Sequence, residues 1–86
     1  MEYFFSQHSL EQMHLRGISK PLVESILKEP EQRIEQDQFT VFQSIKTDEN
    51  NEIFLIRVFV NERKTPNVVI TVYKTSKIQK YYESKI

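Results

Sequence analysis

The chain has 86 residues, 12 Lys/Arg against 12 Asp/Glu, and no cysteine. That length makes a single domain, residues 1–86, with a small core. The missing cysteine excludes disulfides and thiolate metal sites, and zero net charge argues against a general polyanion binder. The balance is uneven along the chain, however. Residues 1–52 hold five Lys/Arg and ten Asp/Glu, and residues 53–86 hold seven and two. Such a basic half either attracts the acidic half of its own domain or faces an anionic partner.

Met1–Phe5 lacks a basic start, and its apolar run is too short for a signal peptide. No apolar stretch is long enough to span a bilayer. The expectation is a cytoplasmic chain without membrane contact.

Ser6 reads as the N-cap of a first helix, with Ser9 and Gln12 as an alternative capping box. Leu10, Met13 and Gly17 share one side of it, and Gly17 suits the left-handed residue that ends it. Ser19 can cap a second helix, which tolerates Pro21 in its first turn. Leu22, Val23, Ile26 and Leu27 form its apolar stripe, and Pro30 stops it. The period then becomes alternating. Gln32–Gln36 is a short strand, Asp37-Gln38 a tight turn, and Phe39–Thr47 a second strand. Asp48–Asn51 (DENN) is a turn cluster. Ile53–Asn61 is the strongest strand, and Val68–Thr75 is the last, rich in β-branched residues. The tail from Ser76 is either a short helix or a frayed end.

This order predicts an α+β domain in which two N-terminal helices pack on one face of a four-stranded antiparallel sheet, with a short C-terminal helix as an option. Pairing Thr47 with Glu52, Asn61 with Asn67 and Gln36 with Phe39 assigns the faces. Ile34, Phe39, Val41, Gln43, Ile45, Phe54, Ile56, Val58, Val60, Val68, Ile70 and Val72 would meet the helices. Arg33, Glu35, Thr40, Phe42, Ser44, Lys46, Leu55, Arg57, Phe59, Thr71, Tyr73 and Thr75 would form an open face. Arg57 stands out there, mid-strand in the most apolar segment. A guanidinium needs either a carboxylate such as Glu35 or an open groove, and its stem can pack on aromatic neighbours.

His8 and His14 are six residues apart and do not share a helix face. There is no HExxH pattern and no glycine-rich phosphate loop, so neither a metal site nor a bound cofactor is expected. Lys74, Lys77 and Lys80 interleave with Tyr81 and Tyr82. That pattern serves nucleic acid by phosphate contact and base stacking. It equally describes a solvated helix with tyrosines packed inward.

The stretch HSLEQMHLRGIS, followed by a second helix and Glu29-Pro30, resembles a bacterial family of domains of unknown function. Its members open with Ser-x-His-Ala, then Arg-Met, then Arg-Gly-Ile-Ser, and end with a Val-Thr-Val-Tyr strand and a lysine-containing tail. Ser6, His8, Met13, Arg16, Gly17, Ile18, Ser19 and Pro30 match, and later Val69, Thr71, Val72, Tyr73 and Lys77. Ser9 replaces the alanine and Gln12 the first arginine. That family is similar to RelE-, ParE- and BrnT-type toxins of toxin–antitoxin pairs. The resemblance implies a helix-then-antiparallel-sheet fold, an active groove on the open sheet face, an antitoxin partner and, as in several such toxins, metal-independent cleavage of RNA.

Two functional readings follow. In the first, the chain is a metal-independent endoribonuclease. Arg57, with Lys46 or Arg33, stabilises the phosphate; Glu35 or His8 is the base; Tyr73 orients or donates. Arg33, Lys74, Lys77 and Lys80 would follow the RNA backbone, and Arg16 would tie down the helix corner. In the second, the chain is a non-catalytic interaction module. Its open face receives an antitoxin or a second copy, with Phe42, Leu55 and Phe59 as anchors beside Arg57.

Overall fold

A computed structural model describes residues 2–83. The chain runs β1 (Tyr3–Phe5), α1 (Gln7–Leu15), α2 (Lys20–Lys28), β2 (Gln32–Glu35), β3 (Thr40–Thr47), β4 (Ile53–Asn61), β5 (Asn67–Thr75) and α3 (Ile78–Tyr81). The strands form one five-stranded sheet in the order β1-β5-β4-β3-β2. This corrects the expected four-stranded antiparallel sheet. β1 lies parallel to β5, with Tyr3 opposite Asn67 and Phe5 opposite Val69, so the sheet is mixed. Three residues that pair with a strand some sixty positions away leave no hairpin signal in the local sequence. None of the described helices is long and apolar enough to cross a membrane.

Ser6 joins β1 to α1. Its hydroxyl accepts from the Ser9 N–H at 3.0 Å, which caps the helix, and donates to the Ile70 carbonyl at 2.9 Å. The Ser6 N–H donates to the Val69 carbonyl at 3.1 Å and extends the parallel ladder. Ser9 is not the cap but a buried helix residue whose hydroxyl donates to the Ser6 carbonyl at 2.7 Å. The other end of α1 closes in a Schellman motif. Gly17 has φ +65, the Ile18 N–H reaches the Met13 carbonyl at 2.8 Å, and the Gly17 N–H reaches the His14 carbonyl at 3.2 Å. Ile18 and Met13 are both buried, the apolar contact that accompanies this motif. Ser19 then caps α2 as expected, accepting from the Leu22 N–H at 3.3 Å.

Both helices lie over one sheet face. Met13, Ile18, Val23, Ile26 and Leu27 pack with Phe42, Ile56, Val58, Val60, Val69 and Val72, flanked by Tyr3, Phe5, Leu22 and Phe54. The expected inward set of β4 is therefore correct, and that of β3 is not. Glu35 pairs with Thr40 as expected, but Thr47 pairs with Ile53 rather than Glu52. The cause is the turn. The Asp48 N–H bonds the Glu52 carbonyl, the Asp48 carboxylate accepts from Asn50 and Glu52 N–H, and Asn51 takes φ 63. The loop is thus Glu49–Asn51, three residues closed by a left-handed one. A one-residue slip sends every side chain of a strand to the other face. Phe42, Ser44 and Lys46 turn towards the helices, and Val41, Gln43 and Ile45 turn away.

β5 carries a second irregularity. Asn61 pairs with Val68, but beyond a bulge Val58 pairs with Val72. Ile70 is the extra residue, and its carbonyl is the one that Ser6 bonds. Val69, not Val68 or Ile70, consequently faces the helices. The second face is not open either, because Val41 and Leu55 are fully buried on it.

Two outcomes test this account. A Cβ at Gly17 would meet nothing within 4 Å, so Gly17→Val should cost only backbone strain, about 1–2 kcal/mol, seen as a lower urea midpoint. Ile56→Ala should cost about 2–5 kcal/mol as a buried large-to-small change. Thr71→Ala, on the second face, should cost clearly less in the same titration.

Candidate functional site

Four strands contribute one side chain each to a row across the second face: Gln32 opposite Gln43, Gln43 opposite Arg57, and Arg57 opposite Tyr73. Arg57 is only 9% exposed and is bonded to no carboxylate among the described residues. Its Nε–H donates to Gln43 Oε1 at 3.0 Å. The fully buried Gln43 amide passes the bond on, Nε2 donating to Gln32 Oε1 at 2.7 Å and to the Tyr81 carbonyl at 3.1 Å. A guanidinium can only donate. It therefore dictates that Gln43 presents its oxygen inward and its nitrogen outward.

Aromatic rings supply the rest of the environment. The Arg57 guanidinium carbon lies 4.4 Å from the centroid of Tyr81 and 5.2 Å from that of Phe59. Tyr81 meets Tyr73 edge-on at 6.1 Å. Arg16, at the end of α1, reaches over Tyr73 at 5.0 Å, and Lys80 Nζ lies 5.3 Å from Tyr81. Three cations thus converge on two phenol rings. The ion pairs among the described residues both belong to Arg33, so none of the three is neutralised by an acid. Burial lowers the Arg57 pKa, with Tyr73 and Tyr81 acting in the opposite sense. The group starts so far above neutrality that it stays charged. Ring faces and one amide oxygen offset its lost hydration. The Nη N–H groups of Arg57 make no bond to the described residues.

The expected site residues divide between the two faces. Arg57 and Tyr73 come together, with Lys80 beside Tyr81, and Lys77 immediately precedes α3 and is exposed. Arg33, Glu35, Lys46 and Lys74 fall on the helix-bearing face through the register described above. There Arg33 bonds Glu35 at 3.0 Å and Glu62 at 2.6 Å, over the ring of Phe42. Burial alone would raise the Glu62 pKa, but the bonds from Arg33 and from Thr40, at 2.7 Å, hold it below the ordinary value. Lys74 lies over Phe54 at 4.2 Å, and Lys46 pairs opposite Phe54. His8 is exposed on α1. The proposed anchors Phe42 and Leu55 are buried. A groove of about 1090 Å³ on the helix-bearing face includes Arg33 and Glu62, and its arginine is already neutralised.

Gln32, Gln43 and Arg16 were not identified as site residues from sequence, and Tyr81 was named only as one ring of the basic tail, not as a neighbour of Arg57. Gln43 carried a signal, as the one amide in an otherwise apolar expected core. Arg16 stood inside the front motif, where it does bond Gln12 Oε1 at 3.3 Å.

The family comparison bears on the same residues. Residues 5–74 match the family described as Domain of unknown function (DUF4258). The chain belongs to the DUF4258 family. Arg16, Gln32, Gln43, Arg57 and Tyr73 lie inside the matched span, whereas Lys77, Lys80 and Tyr81 lie beyond it. No curated protein and no solved structure matches this DUF4258 chain.

The amide relay makes a stability prediction. Gln43→Leu should cost about 1–3 kcal/mol, because it strands the buried Arg57 Nε–H without an acceptor. Gln32→Leu should cost less, since Gln32 is half-exposed and water can replace it. A urea titration of both variants reads the difference.

Proposed function

We propose that this chain is a toxin-like, RNA-directed protein, a metal-independent endoribonuclease whose phosphate anchor is Arg57. The observation that carries the reading is the cluster of Arg57, Arg16 and Lys80 around Tyr73 and Tyr81, without a neutralising carboxylate among the described residues. Such a surface suits single-stranded nucleic acid, with cationic edges for phosphate and aromatic or guanidinium planes for bases. The resemblance to RelE-, ParE- and BrnT-type toxins supports the same direction and supplies the expectation of an antitoxin partner.

The chemistry follows from the geometry of the guanidinium. In metal-free RNA cleavage the 2′-oxygen bonds to phosphorus and the bond to the 5′-oxygen breaks. The 2′-hydroxyl gives up a proton, and the leaving oxygen takes one. The phosphorane between them carries extra negative charge. The Nη edge of Arg57, which bonds none of the described residues, can donate two parallel N–H bonds to its oxygens. Tyr73, opposite Arg57 on the next strand, is the nearest expected donor for the leaving oxygen. Water takes the 2′ proton, because Glu35 and Lys46 stand on the other face.

One observation favours a second reading, in which the same face binds RNA without cleaving it. No histidine or carboxylate hydrogen-bonds to Arg57, Gln43 or Tyr73 among the described residues.

Incubation of the purified chain with labelled RNA and a chelator separates these. Cleavage in wild type that falls a hundredfold or more in Arg57→Ala, roughly the 2.7–4 kcal/mol of one lost donor, supports the nuclease. Arg57→Lys should rescue only part, since an ammonium lacks the bidentate fork. RNA binding without cleavage supports the second reading. Equal cleavage by Arg57→Ala, with unchanged thermal melting, removes Arg57 as the anchor.

A further inference from the structure

We propose that residues 81–83 occupy a nucleobase subsite, and that Gln32 and Gln43 are the side chains that read the base edge. This rests on the RNA reading above and deepens it. The chain's own segment behaves as a stand-in ligand. Tyr81 lays a planar ring over the Arg57 guanidinium at 4.4 Å. Its carbonyl accepts from Gln43 Nε2 at 3.1 Å. Two residues on, the Glu83 N–H donates to Gln32 Oε1 at 3.0 Å, while the Glu83 carbonyl accepts from Gln32 Nε2. The segment therefore offers a ring face, an acceptor, and an adjacent donor and acceptor.

Single-stranded RNA offers the same set of groups. Its unstacked bases present a face for stacking on aromatic rings or guanidinium planes, and edges that carry neighbouring donors and acceptors. A glutamine amide pairs with such an edge through two bonds. The reading groups are oriented in advance. Arg57 Nε–H holds the Gln43 oxygen, Gln43 Nε2 holds the Gln32 oxygen, and Gln32 Nε2 is left facing the segment. Stacking uses the face of the guanidinium and phosphate uses its Nη edge, so one arginine serves both. The helical part of the covering segment is short. α3 has four residues, and its N-cap, Lys77, makes no side-chain cap bond. Tyr82 adds one bond from its hydroxyl to Glu31 at 3.2 Å.

Fluorescence anisotropy with two probes tests this, with thermal melting as the check on folding. One probe is a labelled six-nucleotide 2′-O-methyl RNA; the other is a base-free ribose–phosphate chain of equal length and charge. Wild type should bind the base-bearing chain about tenfold more tightly, the scale of one bidentate base contact. Gln32→Leu should lose that preference, and so should Gln32→Glu, which keeps an acceptor but removes the donor. Tyr81→Ala should bind the base-bearing chain more tightly than wild type, because no ring competes for Arg57. Equal affinity of wild type for both probes, with both lost in Arg57→Ala, overturns the base subsite and leaves the phosphate anchor standing. A preference that survives in both Gln32 variants, or weaker binding by Tyr81→Ala, also overturns it. Failure of wild type to bind either probe overturns this inference and the RNA reading together.

Discussion

The turn at Glu49–Asn51 sets which side of β3 meets the helices. The Asp48 carboxylate holds two backbone N–H groups, and the positive φ of Asn51 inserts one residue more than the shortest hairpin would need. Because side chains alternate along a strand, that single residue places Phe42 in the core beside Val58 and brings Gln43 opposite Arg57. With the other parity, the amide would point at the helices and the guanidinium would lose its acceptor. The core and the polar row are therefore two consequences of one local geometry.

The two faces of the sheet hold their arginines differently: Arg33 is exposed and Arg57 buried. On the helix-bearing face Arg33 is neutralised by two carboxylates, and Thr40 shares one of them. On the second face Arg57 has an amide oxygen and aromatic rings but no counter-charge among the described residues. An ion pair satisfies its members and leaves little for a ligand. A guanidinium held by a neutral oxygen keeps its charge and its outer donors available. This contrast, rather than the number of basic residues, distinguishes the second face.

Ser6 couples the two halves of the architecture. One hydroxyl caps α1 and bonds the carbonyl of the bulged Ile70. α1 is thereby seated along the edge of β5 beyond the three residues of β1, and its last turn delivers Arg16 to Tyr73. Gly17 then turns the chain away towards α2. The front motif is thus a structural corner that also positions a cation, and His8 within it stays exposed.

Local chemistry was legible in the amino-acid sequence by itself. Ser6 and Ser19 as caps, Gly17 as the left-handed terminator, the apolar stripe of α2 and the inward residues of β4 each depend on neighbours within a few positions. The prominence of Arg57 was legible too, because a cation in so apolar a strand has few acceptable environments. Tertiary structure alone decided what depends on pairing between distant segments. The parallel addition of β1 to β5, the bulge at Ile70 and the parity of β3 moved Arg33, Glu35 and Lys46 away from Arg57 and brought in Gln32, Gln43, Tyr81 and Arg16. Strand periodicity defines two sets of alternating residues but not which set faces inward. That choice belongs to the turn and to the partner strand, and neither is written in the period.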